Sequence, residues 1–128
     1  MVNLMAQLLA IAAGGSVGAV MRFIVSTGIY SWLGRGFPYG TLVVNVIGSL
    51  LMGLLYELFL QRLSVSPEVR AVLLVGFLGA FTTFSTFSIE TINLIEQGYV
   101  IKAIVNVLAS VILCVLAAWV GLLIARQL

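Results

Sequence analysis

Apolar residues fall into four long runs, at about 4–30, 39–60, 67–95 and 99–125, and each run is hydrophobic nearly all round rather than on one face. A helix with no polar face is fully buried or lipid-facing. A hydrocarbon layer about 30 Å thick needs roughly 20 such residues to cross it. Each run is long enough. Short polar connections separate them: Gly34, Arg35, Gly36 and Pro38; then Arg62, Ser64, Ser66 and Pro67; then Glu96, Gln97 and Gly98. Ser66, Pro67 and Glu68 read as a helix start, with a capping hydroxyl before a proline at the first helical position. The pattern predicts an all-α membrane protein of four transmembrane helices, a single transmembrane domain over residues 1–128.

Composition agrees. Hydrophobic residues make up 62% of the chain and charged residues 8%, a balance that would leave a soluble domain covered in apolar patches. The stretch from Met1 to Ala13 is apolar and Ala-rich but has no positive n-region, and its apolar character continues past Gly18, so it reads as a retained first span and not a secretory signal. The lone Cys114 excludes an intramolecular disulfide, and with no histidine the sequence argues against a zinc or iron site. A net charge of +2 is too small and dispersed for a nucleic-acid partner.

Four spans put both chain ends on one side. Arg62, Arg70 and Arg126 then oppose Arg35, Lys102 and the loop-proximal Arg22. Orientation normally follows the excess of Lys and Arg on one side. Here the count is tied, so the chain can insert both ways up and pair as an antiparallel, dual-topology homodimer; alternatively one cation breaks the tie. Four helices make a thin bundle, and Gly14, Gly18, Gly40, Gly48 and Gly53 offer the small residues that let helices approach closely in lipid.

The third run is unusual. About 29 residues in one straight helix would reach about 43 Å, well beyond the hydrocarbon layer. Its middle carries Gly76 and Gly79, then the hydroxyls Thr82, Thr83, Ser85, Thr86 and Ser88, then Glu90. Glycine and threonine weaken a helix and hydroxyls compete for its backbone partners, which predicts a break near 79–83. One reading is a softened kink with hydroxyls bonded to preceding carbonyls. The other is an unwound segment whose Gly79 and Thr82 carbonyls hold a hard alkali or alkaline-earth cation.

Phe84 and Phe87 share a helical face. Aromatic edges are positive and can stabilise an anion weakly. In span two, Thr41, Asn45 and Ser49 follow at four-residue steps, as do Lys102, Asn106, Ser110 and Cys114 in span four. Such stripes at membrane depth either bond helices to one another or line a path whose donors replace an anion's hydration shell. Arg22, within span one, reads as structural, snorkelling to the interface or bonding helix termini; Glu90 can cap, pair with Arg22 or another cation, or respond to pH.

Gly14, Gly15, Gly18 and Arg22, the segment Gly40 to Asn45, and above all the stretch Gly-Phe-Leu-Gly-Ala-Phe-Thr-Thr-Phe-Ser-Thr-Phe-Ser-Ile-Glu at 76–90 resemble the Fluc (CrcB) fluoride channels of bacteria over nearly the whole chain. The resemblance implies an antiparallel homodimer in the bacterial inner membrane with two pores that export cytoplasmic fluoride by passive diffusion. It implies that Phe84 and Phe87 line the pores, with Asn45 as a donor beside them and Ser85 and Thr86 adding hydroxyls; the stripes extend the path to Thr41, Asn106 and Ser110. It further implies a structural sodium ion on the main-chain carbonyls of Gly79 and Thr82 from both copies, and matching positions for Arg22 and Glu90. Ala80 departs from the family pattern, where a third glycine often stands beside Gly79. The partners implied are fluoride, the lipid bilayer and a second copy of the chain.

The rival from another class is a proton-coupled small multidrug exporter, which needs an acid in the first span, where this chain has only Arg22. A purely structural membrane protein is a second rival. An enzyme is disfavoured, since no nucleophile, base and orienting group occur together.

Overall fold

The computed structural model describes residues 3–128. Met1 and Val2, which open the stretch weighed against a signal sequence, lie outside the described residues. Helix α1 (Leu4–Leu33) is capped by Asn3, whose side chain accepts from Ala6 N at 3.2 Å. It ends at Gly34, where φ of 83° suits a residue without Cβ and the amide donates to Tyr30 O at 2.8 Å. Helix α2 (Tyr39–Arg62) finishes in a wide turn, Leu63 N reaching Leu58 O at 2.6 Å. Ser66 caps the next helix through Val69 N at 3.2 Å, with Pro67 in its first turn. That helix, α3 (residues 67–81), has widened turns over Ala71–Leu78. Helical backbone stops at Phe81 and resumes as α4 (Ser85–Glu96), with Thr82 extended at φ −88° and ψ 158°. Gly98, at φ 89°, turns the chain into α5 (Val100–Gln127).

Every span is slightly longer than its apolar run. The four of them, α3 and α4 counted together, are long and apolar enough to cross a membrane, and no strand occurs among the described residues.

Two seams hold the bundle together. On α1, Gly14 and Gly18 lie directly under the carbonyls of Val72 and Phe77 of α3, and a Cβ at Gly76 would stand 2.7 Å from Ile11 O. Between α2 and α5 the contact is reciprocal: Gly53 lies under the carbonyl of Ala118, and Gly121 under that of Leu50. Backbones approach this closely only where side chains are absent. The core is correspondingly thin, centred on Val44, Leu78, Phe81 and Ala103. The outer faces carry the exposed side chains of Phe23, Ile101, Val115 and Trp119, a surface suited to lipid or a second protein.

The two ends are tied differently. At one, the buried Glu57 of α2 meets Arg126 of α5 at 3.0 Å, and Arg62 donates to the Arg126 carbonyl at 3.1 Å. At the other, Lys102 Nζ donates to Gly36 O at 3.0 Å and lies over the Tyr99 ring, while Arg35 lies over Tyr30. Arg22, counted above with the loop charges, turns inward: its Nε donates to Ala80 O at 2.9 Å. That leaves two loop cations against three, a weak bias.

Candidate functional site

Where α3 stops, its last carbonyls and the first amides of α4 lose the partners a continuous helix would supply. Side chains from two other helices replace some of them. Thr82 keeps its amide and hydroxyl on Leu78 O, at 3.1 and 3.0 Å. Arg22 of α1 occupies Ala80 O, a cation at a helix C-terminus, where the helix dipole favours one. Asn45 of α2 forms a two-bond latch on Thr83, accepting from its amide at 2.8 Å and donating to its carbonyl at 3.0 Å. The Thr83 hydroxyl accepts from Thr86 N at 3.2 Å and so caps α4; it also donates to Thr86 Oγ1 at 3.2 Å and lies 3.4 Å from Ser85 Oγ.

These diversions have a consequence for two carbonyls. In an unbroken helix the Thr83 amide would serve Gly79 O and the Thr86 amide would serve Thr82 O. Both amides are taken by side chains instead. Gly79 and Thr82 therefore present main-chain oxygens without their helical partners, the donor type a hard cation takes. Two such oxygens are fewer than an alkali or alkaline-earth ion takes. Among the described residues no group of three or more His, Cys, Asp or Glu side chains gathers to hold a metal.

Beside this segment lies a cavity of about 420 Å³ whose wall includes Asn45, Thr82, Thr83, Phe84, Phe87 and Ser110. Ser49 and Cys114 line it too, joining the stripes of α2 and α5. The Phe84 and Phe87 rings stand 5.3 Å apart, tilted by 45°, and Phe84 is 78% exposed. An apolar ring left this open at the rim of a membrane-depth cavity is incomplete packing within one chain.

Not every residue singled out from the sequence reaches the cavity wall. Asn106 is buried against α4, donating to Thr91 Oγ1 at 2.9 Å, and Ser110 Oγ lies 3.5 Å from Asn106 Oδ1. Ser85 and Thr86 cluster around Thr83 at the start of α4. Thr41 is buried at the Tyr30 hydroxyl, 3.3 Å from Thr41 Oγ1. That hydroxyl donates to Glu90 Oε2 at 2.6 Å, so Glu90 pairs with a phenol, not with Arg22. Two participants escaped the sequence reading. Thr91 stands one turn beyond Phe87, whose carbonyl takes its hydroxyl at 2.7 Å, and this spacing was a usable signal. Tyr30, at the edge of an apolar run, offered none. Chemically, the region combines ring and aliphatic walls that exclude solvent with polar groups bonded within the protein, the Asn45 amide to Thr83 and the Ser110 hydroxyl to Asn106.

The comparisons with known proteins point the same way. Residues 9–122 match the family described as CrcB-like protein, Camphor Resistance (CrcB). A fluoride-specific ion channel FluC of Methylococcus capsulatus is 59% identical over 122 residues, covering 95% of this chain and 54% of that protein. Proteins of the same name from Magnetococcus marinus and Geobacter sulfurreducens are 55% and 52% identical over 120 and 124 residues, covering 94% and 97% of this chain and 98% and 100% of theirs. The chain thus spans about half the length of the Methylococcus relative and essentially all of the other two.

Proposed function

The chain belongs to the CrcB-like family, and on that premise we propose that it is a fluoride-selective ion channel, a multi-pass protein of the bacterial inner membrane that releases cytoplasmic fluoride by passive diffusion. The observation that carries the reading is the membrane-depth cavity where the Phe84 and Phe87 rings meet the amide and hydroxyl groups of Asn45, Thr83 and Ser110. Fluoride is small, strongly hydrated and a strong hydrogen-bond acceptor, so closely spaced neutral donors can substitute for its water better than for that of chloride. Neutral donors and ring edges also hold an anion weakly enough to let it leave. The relatives named as fluoride-specific channels support the same choice of ion.

The working unit in this reading is an antiparallel homodimer with two pores. Its support is the exposed Phe84, the cavity left open beside it and the nearly balanced loop charges. The interruption of the third span serves as its centre, where a structural sodium ion is held by the Gly79 and Thr82 carbonyls of both copies; the loss of helical partners by these two oxygens supports that assignment. Asn45, Phe84, Phe87 and Ser110 line each path, with Thr41, Ser85, Thr86 and Asn106 extending its polar edge, while Arg22 and Glu90 brace the helices. Nothing favours the multidrug exporter, since α1 carries no carboxylate. Liposomes loaded with fluoride or chloride and containing the purified protein test the proposal: fluoride should escape passively and chloride should stay, and vesicles that retain both would refute it.

A further inference from the structure

We propose that the Ser49 hydroxyl is a further hydrogen-bond donor on the anion path, an inference that rests on the channel reading above. It follows from how the polar side chains around the Phe84 and Phe87 cavity spend their hydrogens. Thr82 donates its hydroxyl to Leu78 O at 3.0 Å, and Thr83 donates to Thr86 Oγ1 at 3.2 Å. Ser110 Oγ is turned to Asn106 Oδ1 at 3.5 Å, and Asn45 gives one of its two amide hydrogens to Thr83 O at 3.0 Å. An arriving anion must compete with each of these oxygens, so the donors it gains most from are those that are free or weakly held. Ser49 is such a donor. It lines the same cavity, half-buried, and among the described residues its hydroxyl has no oxygen or nitrogen partner. Its polar neighbour is the Cys114 thiol, a weak acceptor. Elsewhere in the spans Ser16, Ser26, Ser88 and Thr91 turn their hydroxyls back onto a carbonyl of the preceding turn.

Helix packing puts this hydroxyl there. On α2, Asn45, Ser49 and Gly53 follow at one-turn steps, and on α5 Ser110, Cys114 and Ala118 do the same. The two helices run the same way, and Glu57 meets Arg126 near their far ends. Gly53 lies under the Ala118 carbonyl, so one turn earlier Ser49 stands level with Cys114, and two turns earlier Asn45 stands level with Ser110. Gly48, on the adjoining face of α2, lets Thr82 Cγ2 come close. The remaining N–H of Asn45 and the Ser49 hydroxyl therefore belong to side chains one turn apart on the cavity-facing side of α2, and neither is committed to a strong acceptor. Fluoride entering the cavity would displace only sulfur from Ser49, whereas at Thr82 or Ser110 it would compete with an oxygen.

The test reconstitutes wild type, Ser49→Ala, Ser49→Thr and Ser16→Ala in liposomes at equal amounts of assembled protein, and follows fluoride efflux. Ser49→Ala should assemble as wild type does, because no strong bond within the protein is lost, and should slow efflux about tenfold or more, the weight of one hydrogen bond to an ion. Ser49→Thr keeps the hydroxyl and adds one methyl group beside an open cavity, so it should restore most of the rate. Ser16→Ala, whose hydroxyl is spent on Ala13 O at 2.9 Å, should match wild type. Unchanged efflux in Ser49→Ala overturns the proposal. So does a Ser49→Ala chain that fails to assemble, which would make the hydroxyl a strut between helices. A Ser49→Thr variant as slow as Ser49→Ala, or an equal loss in Ser16→Ala, is equally decisive against it. Wild-type vesicles that hold fluoride would instead defeat the channel reading itself.

Discussion

Between α2 and α5 the helices meet backbone to backbone, Gly53 under Ala118 and Gly121 under Leu50; around residues 79–86, three helices meet through Arg22, Asn45 and Thr83 side chains placed on main-chain groups. The seam needs only absence of bulk, because each helix satisfies its own amides and carbonyls. The interrupted segment needs chemistry, because a backbone that leaves the helix inside lipid must find partners elsewhere. Gly79 O and Thr82 O, like Phe81 O, are left without their helical partners and are groups open to a ligand. Tight packing and candidate function touch at Ala118, which lies against Gly53 and also lines the cavity, but they rest on different chemistry, and substitutions should separate them in measurement.

The largest effect should come from the seam. Gly121→Val would drive a branched side chain into the carbonyl of Leu50, a backbone atom that cannot step aside; overpacking typically costs about 1–3 kcal/mol and here falls at or above the top of that range, and size-exclusion chromatography should show no assembled protein. A normal elution profile would mean that the α2–α5 approach is loose. Next, Asn45→Leu leaves the amide and carbonyl of Thr83 without their partners in an apolar setting, at about 2 kcal/mol or more. Faster hydrogen exchange at the Thr83 amide, with α2–α5 amides unchanged, would confirm that the damage is confined to the interruption.

Phe87→Ile sharpens the contrast from the other side. It keeps an apolar group but removes the ring beside Phe84, so assembly should persist while fluoride efflux falls at least tenfold, roughly 1.4 kcal/mol in barrier. Wild-type efflux from an assembled variant would remove this ring from the path. The smallest effect belongs to Arg126→Gln. Its partner Glu57 is buried but Arg126 is half exposed, and solvent screening limits such a pair to roughly 0.5–1 kcal/mol. Thermal melts should shift by only a few degrees, with efflux unaltered.

Much of this was legible in the residues alone. The four spans followed from run length, and the segment from Gly76 to Glu90 drew attention because glycine and hydroxyl residues crowd a place where lipid favours leucine and valine. Asn45, Phe84, Phe87 and Ser110, chosen by spacing, do share one cavity. Other details were beyond that reasoning. Asn45 and Thr83 are 38 positions apart, and Tyr30 and Glu90 60 apart; no periodicity within a span says which residue of another span it will face. Gly121 was passed over because one glycine in an apolar helix is unremarkable until the Leu50 carbonyl is found against it. Arg22, within the first span, bonds a helix end, one of the two structural roles its sequence position allows, but which helix end it meets is decided only in three dimensions.

Sequence by itself determined the solvent, the number of crossings and the kinship of this chain, because each depends on counting residues along the chain against a bilayer of known thickness or on a motif read in order. Tertiary structure decided which polar groups are satisfied and which are left over. That depends on how each helix is rotated against its neighbours, and the rotation is settled by glycine contacts between spans that lie far apart in the chain.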